Sequence, residues 1–357
     1  MPQSLKQFEL RKKDHIRFSL DQKSQKLAST HFDQIGLVHH ALPDFNFSDV
    51  ALDTQILGHT FSSPHFISSM TAGHGDSLQI NSKLALAAGK KNWLMCVGSQ
   101  RRELVDAQAK KEWQKIRKQH LKTQFVSNIG IEEIIQYSAD QILDLVKSLN
   151  SLGLIIHLNP LQEIFQKSQA SFLGSEKALE KIISKTRVPV IIKEVGFGIS
   201  VHLMKKLFQM GIDVVDISGR GGSHWGMIEA LRHTSDNVQN KSIAAFTDWG
   251  MSAVECLLAA QKLVDKNKIW ASGGVRSGVD SAKCLALGAR AVGVAQPLMK
   301  AAVAGQAKPS EKSESVLHVM DQFDFELKTA LFCTGMINCG QMVKSAITQK
   351  KVWYEVR

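Results

Sequence analysis

The chain has 357 residues, 44% of them apolar, and a net charge of +11 with a pI near 9.4. That length suits one large α/β barrel or two smaller domains, and no run of eighteen apolar residues is present to cross a membrane. The basic residues are interleaved with acids, as in EKALEKIISK, and form no aromatic-spaced stripe. Nucleic acid and membrane surfaces are therefore not expected as partners, and small phosphorylated ligands are.

In chain order, the opening MPQSLKQFELRKKDH has neither an apolar core nor a small-residue cleavage site. No secretory signal is expected, and the cytoplasm is the default location. RKKDHIRFSLDQKSQ reads as a helix or ordered arm within a polar extension, residues 1–60. From residue 65 short apolar strands alternate with helical stretches. The strands are HFISSM, WLMCVGS, QFVSNIG, LIIHLNP, PVIIKEVG, DVVDISGRGG, KIWASGGVRSG and the end of CLALGARAVGVAQPLM. A polar insertion, roughly residues 223–247, follows the sixth strand. Eight such units over residues 61–304 predict a TIM (β/α)8 barrel. An open doubly wound sheet is the alternative, but its GxGxxG after the first strand is missing. Residues 305–357 are expected to form a C-terminal helical extension. Five cysteines without a CxxC pair argue against a disulfide framework or a zinc site.

Residues just past each barrel strand line the active face, and here every strand ends in polar residues and glycine. SGGVRSG (272–278) after strand seven offers backbone amides, Arg276 and a helix starting near Ser277 to an anion. SGRGGSHW (218–225) supplies a second wall. Lys193 ends the apolar run PVIIK, where burying an ammonium needs an anionic partner. That partner is either an acid such as Glu194 or the edge of a cofactor. HLNPLQE (157–163) puts His157 and Asn159 on one face of a strand. Pro160 then turns the chain, and Gln162 and Glu163 fall above the barrel mouth. Read alone, His157 suits a satisfied core position equally well, and Glu163 a solvated surface. In this setting the carboxylate suits Mg²⁺ bridging to a phosphate.

Together RKKDHI (11–16), MTAG (70–73), GSQR (98–101), SNIG (127–130), HLNPLQE, KEVGFG (193–198), SGRGGSHW, DWG (248–250) and SGGVRSG resemble the FMN-dependent, type 2 isopentenyl-diphosphate isomerases. The pieces stand in the family's order from residue 11 to about 297. SGGVRSG occurs in many phosphate-binding barrels; HLNPLQE with KEVGFG and the N-terminal RK is far more specific.

The resemblance implies a 1,3-allylic proton shift between isopentenyl and dimethylallyl diphosphate. It requires reduced FMN, Mg²⁺, and NADPH as reductant, and it implies a homo-oligomer, tetramer or octamer. It assigns Arg11, Lys12, His15, Ser99, Gln100, Arg101, His157, Asn159 and Gln162 to the substrate, with Ser99 also near the flavin, and Glu163 to the metal. Gln162, Lys193 and His157 become the catalytic candidates. Met70, Thr71, Ala72, Ser99, Asn128, Lys193, Ser218 and Ser223 contact FMN. Gly273, Gly274, Val275 and Arg276, then Ala295 and Gln296, hold its phosphate. Glu229 in WGMIEALR matches an acidic position near the metal-bound diphosphate. MTAG stands for the commoner MTGG, and Ser223 for a usual threonine.

Three rivals are weighed. A 2-hydroxy-acid oxidase would put a His-Arg pair on a carboxylate, which the set Arg11, Lys12, Arg101 and Glu163 argues against. A nucleotide dehydrogenase would need a cysteine within residues 218–250, and there is none. A flavin-binding barrel without turnover is disfavoured by an intact HLNPLQE.

Overall fold

The computed structural model describes residues 5–25, 30–70, 75–167, 170–232, 238–261, 263, 268–304, 315–342 and 347–349. Eight parallel strands close into a barrel. They are β1 (His65–Ile67), β2 (Leu94–Cys96), β3 (Phe125–Gly130), β4 (Leu154–Leu158), β5 (Val190–Glu194), β6 (Val214–Asp216), β7 (Ile269–Ala271) and β8 (Ala291–Val294). β8 pairs with β1 and β7 with β6, so no strand edge is left open. The strands read as continuous apolar runs because helices cover their outer face and side chains fill the inner one.

Period-two alternation divides that interior into layers. Phe66, Leu94, Val126, Ile155, Ile191, Val214, Trp270 and Ala291 meet near the start of the strands. The hairpin formed by Thr54–Ile56 and His59–Phe61 joins them through Ile56 and Phe61, so an apolar plug closes the base. Two residues further along the chain in each case stand Ser68, Cys96, Asn128, His157, Lys193, Asp216, Ser272 and Gly293. The same alternation that builds the core therefore delivers a polar layer just beneath the barrel mouth.

Six helices stand at or near that mouth. They are α1 (Leu5–Leu20), α2 (Pro160–Lys167), α3 (Trp225–Arg232), α4 (Gly278–Ala286), α5 (Gln296–Ala304) and α6 (Val316–Phe332), and all but α4 line it. The RKKDHI arm is thus a helix, packed against α3. The expected polar insertion at 223–247 is in its described residues mostly helical: α3, a helix at Val238–Ser242 and a 3-10 turn at Ile243–Phe246. Some of its apolar residues bury against α2, Ala230 and Ile243 against Phe165, while Val238 stays exposed. The C-terminal extension is not wholly helical. After α6, strand Ile347–Gln349 pairs antiparallel with Ile35–Leu37, tying the two extensions together. All five cysteines are free thiols. Among the described residues no helix is long and apolar enough to cross a membrane.

Candidate active site

A cavity of about 920 Å³ opens at the barrel mouth. Its floor is the polar layer. Asn128 Nδ2 donates to Val97 O at 3.0 Å, so its Oδ1 is the atom left to face His157 Nδ1, 2.9 Å away. An amide oxygen only accepts, so His157 carries its proton on Nδ1 and presents a bare Nε2. Burial, with Arg101 and Lys12 nearby, lowers His157 to about 3 and keeps it neutral.

Lys193 donates to Ser218 Oγ at 2.8 Å and to the Glu194 carbonyl at 2.7 Å. The Glu194 carboxylate turns away to accept from the Gly196 and Phe197 amides. The acid facing the ammonium is instead Asp216, with Oδ2 3.8 Å from Nζ. Ser218 holds φ at 35°, left-handed for a residue with a Cβ. Such strain persists where its surroundings fix it, and it clusters at functional sites.

One side wall is built of backbone. Gly273 and Gly274 have φ of 91° and 72°, and a Cβ on Gly273 would lie 2.0 Å from Gly219 O. The loops after β6 and β7 can touch only as bare backbone, which leaves a cradle of amides. α5 begins against this cradle, with Ala295, Gln296 and Pro297 lining the cavity. A helix start with proline at its second position is an anion site that gives up an amide of little use there. Two expectations need correcting. The Arg276 guanidinium is engaged by Asp33 (2.9 Å) and Asp280 (2.8 Å), and its backbone amide also donates to Asp280 at 3.2 Å, so the amides of the cradle are those of Gly273 and Gly274. The start of α4, capped by Ser277 as expected, spends its Gly278 amide on Glu326 at 2.6 Å. The positive end facing the cavity belongs to α5.

The opposite rim is charged. α1 brings in Lys12 and His15, the loop after β2 brings Arg101, and α2 brings Gln162 and Glu163. Burial, Arg11 and Arg101 together lower Lys12 to about 7. Arg101 Nη1 donates to Glu133 at 2.9 Å. Asn159 Nδ2 donates to Glu163 at 2.9 Å and to Gln162 Oε1 at 3.2 Å. Glu229 gathers the rest: His15 Nε2 at 2.8 Å, Gln162 Nε2 at 2.9 Å and Arg232 Nη1 at 2.5 Å. Burial pushes its carboxyl up, but these contacts outweigh it and bring it to about 2. Burial lowers His15 to about 4, so a neutral ring donates to an ionised carboxylate.

Most residues singled out in the sequence meet at this cavity. Lys12, His15, Ser99, Arg101, Asn128, His157, Asn159, Gln162, Glu163 and Lys193 line it, as do Met70, Ser218, Ser223, Gly273, Gly274, Val275, Arg276, Ala295 and Gln296. Ser223 Oγ accepts from Gln25 of the arm at 3.1 Å. Thr71 and Ala72 lie outside the described residues. Arg11 is buried but not on the cavity wall; with the Gln166 amide oxygen toward it, Gln166 joins Arg11 Nη1 (2.9 Å) to Glu229 (3.2 Å). Gln100 is not on the wall either. It donates to Glu103 at 2.7 Å, and its Oε1 accepts the Asn128 amide at 3.1 Å, so it braces Asn128 from behind. The sequence reading missed Glu133, Gln166, Trp225, Arg232 and Asp216. Arg232 was findable from its i,i+3 spacing to Glu229. Asp216 was findable from period two along DVVD.

The model of the family of FMN-dependent dehydrogenases matches residues 135–349. Curated relatives named isopentenyl-diphosphate delta-isomerase span nearly the whole chain. That of Bdellovibrio bacteriovorus is 41% identical over 354 residues, 98% of this chain and 100% of its own. That of Legionella pneumophila strain Lens is 40% identical over 347 residues, 97% and 99%. That of Oceanobacillus iheyensis is 33% identical over 335 residues, 93% of each. Among solved structures, the flavin-binding domain of baker's yeast flavocytochrome b2 superposes with a TM-score of 0.66 at 16% identity, covering 99% of this chain and 91% of that one. An (S)-mandelate dehydrogenase variant gives 0.63 at 17%, covering 94% and 91%. These last two share the barrel.

Proposed function

The chain belongs to the isopentenyl-diphosphate delta-isomerases, within the FMN-dependent dehydrogenase family, and from there we propose how its residues divide the work of interconverting isopentenyl and dimethylallyl diphosphate. The observation that carries the reading is one cavity with two anion sites of different kind. A neutral backbone cradle lies on one side and a rim of buried basic groups on the other.

The cradle and floor fit FMN. Its phosphate would take the amides of Gly273 and Gly274 and the start of α5, and its ring would lie over Lys193, Asn128 and Ser218. When bound and reduced, FMN supplies exchangeable ring protons and an electron-rich face beside the alkene, chemistry that no side-chain pair here provides. Lys12 and Arg101 hold the substrate diphosphate, with Arg11 adding its charge from behind. Glu163 would hold Mg²⁺ as its one carboxylate ligand from the chain, and the ion would supply positive charge for the diphosphate. Asn159 steadies both Glu163 and Gln162. Gln162, donating to Glu229 and accepting from Asn159, is fixed at both ends and positions the proton moved at the allylic carbon. His157 offers Nε2 as an acceptor. Ile16, Val195 and Trp225 give the cavity apolar walls, which protect a positively charged transition state from water. NADPH serves as reductant, and the protein works as a homo-oligomer.

The likeness to hydroxy-acid dehydrogenases is one of fold at 14–17% identity, against 33–41% over nearly the full chain for the isomerases. The test is incubation with FMN, Mg²⁺, dithionite and isopentenyl diphosphate in D₂O, anaerobically, followed by proton NMR. Deuterated dimethylallyl diphosphate, formed only with reduced flavin, is expected. Bound FMN with no product would turn the reading to another flavin chemistry.

A further inference from the structure

We propose that Asp216 is the internal counter-ion of Lys193 and, by competing with bound flavin for that ammonium, sets the reduction potential of the cofactor. The inference rests on the FMN reading above. Asp216 ends β6 and points into the barrel, fully buried. Its Oδ1 accepts from Ser272 Oγ at 2.6 Å and from the Ser218 amide at 3.2 Å. Its Oδ2 accepts no hydrogen bond among the described residues and stands 3.8 Å from Lys193 Nζ.

Lys193 is the other half of the arrangement. An ammonium has three N–H groups. Two are directed at Ser218 Oγ and the Glu194 carbonyl. The third can lean toward Asp216 Oδ2 or toward the cavity that Lys193 lines, where it would meet the N1 and C2=O edge of FMN. At 3.8 Å the Asp216 contact is an ion pair without a formed hydrogen bond, so the ammonium is held charged yet remains free to turn. Burial raises the Asp216 carboxyl, while Lys193, Ser272 and the Ser218 amide pull it the other way. The other titratable neighbours are His157, the register partner of Lys193 on β4 and held neutral by burial, and Cys96 across the barrel in the same layer, whose buried thiol is pushed well up.

The two flavin states place different demands on this pair. Oxidised FMN has a neutral ring; the reduced ring carries negative charge at N1. Lys193 favours the reduced form, and ionised Asp216 opposes it from the far side of the same ammonium. Removing the Asp216 charge leaves Lys193 to the flavin alone. Asp216→Asn is therefore expected to bind reduced FMN at least tenfold more tightly relative to oxidised FMN. That corresponds to an upward shift of roughly 30 mV or more for a two-electron couple.

The experiment reconstitutes wild type and Asp216→Asn with FMN, checks binding by flavin absorbance, then measures the midpoint potential against reference dyes at fixed pH. Ser272→Ala keeps the carboxylate but withdraws its hydroxyl donor, and it covers the case in which Asp216→Asn fails to fold. With that donor gone the carboxylate is more basic and competes harder for Lys193, so the potential should fall by a smaller amount. An unchanged or lowered potential in Asp216→Asn, or an unchanged or raised one in Ser272→Ala, with FMN bound, overturns the role of Asp216. Failure of wild type to bind FMN overturns the flavin reading itself, and this inference with it.

Discussion

Lys12 is the rim residue whose charge is least secure, and the pH profile should show it. Its folded pKa of about 7 is depressed by burial and by Arg11 and Arg101, so in the free enzyme it is charged below pH 7 and neutral above. The diphosphate needs the charged form. kcat/KM should therefore fall as pH rises above about 7, by up to about tenfold per unit, while kcat holds because bound diphosphate restores the proton. Lys12→Arg should carry the falling limb upward; a flat wild-type profile from pH 6.5 to 9 would count against the assignment. Glu229→Gln leaves Arg232 and the basic rim without their shared carboxylate. A loss of about 10- to 100-fold in kcat/KM is expected, with FMN affinity unchanged by titration. His157 should show the Nδ1–H tautomer in nitrogen NMR at neutral pH, and an Nε2–H signal would remove it as an acceptor. At this scale motif residues were legible as types and not as contacts. GSQR lists Gln100 and Arg101 side by side, yet one braces Asn128 and the other reaches the cavity. Nothing local tells a phosphate ligand from a brace, because the difference lies in which distant group each side chain meets.

Among the elements, the barrel strands were the most readable, since burial on both faces writes an uninterrupted apolar run. Strand ends were readable for the same reason: the first polar inward residue after such a run has to face the mouth. The helices at 223–247 were harder to see because the polar run RHTSDN divides their apolar residues into two short sets, and those that bury, such as Ala230 and Ile243, do so against α2, some sixty residues earlier. The SGGVRSG loop was legible as glycine-rich, but not which helix stands beside it at the cavity; Glu326, which takes the Gly278 amide, comes from α6. Gly273→Ala would place a Cβ into Gly219 in a left-handed backbone. The conformation alone costs about 1–3 kcal/mol, so a lowered Tm together with lost FMN absorbance is expected. Removing α1 should spare FMN binding and lower kcat/KM by roughly 100-fold or more, as the charge of Lys12 and the neutral His15 donor to Glu229 disappear. Measuring both on one truncated protein separates cradle from rim.

Across the whole molecule, a charge of +11 has its clearest use where Arg11, Lys12, Arg101 and Arg232 converge. An anionic substrate approaching such a rim is guided by the long-range field. kcat/KM should therefore decline with added salt as the Debye length shrinks, while kcat stays level. The same rim fixes when the enzyme comes into being. His15 bonds Glu229 across 214 positions, Gln25 meets Ser223 across 198, and Arg276 reaches Asp33 across 243. A ribosome delivers the amino end first, at about 5–20 residues per second, so α1 emerges many seconds before anything exists for it to dock on. It spends that interval as a short basic segment with no partner. The pocket is then assembled in one late act, after the barrel is largely wound. A chain cut short of α3 could build much of a barrel and still have no catalytic chamber.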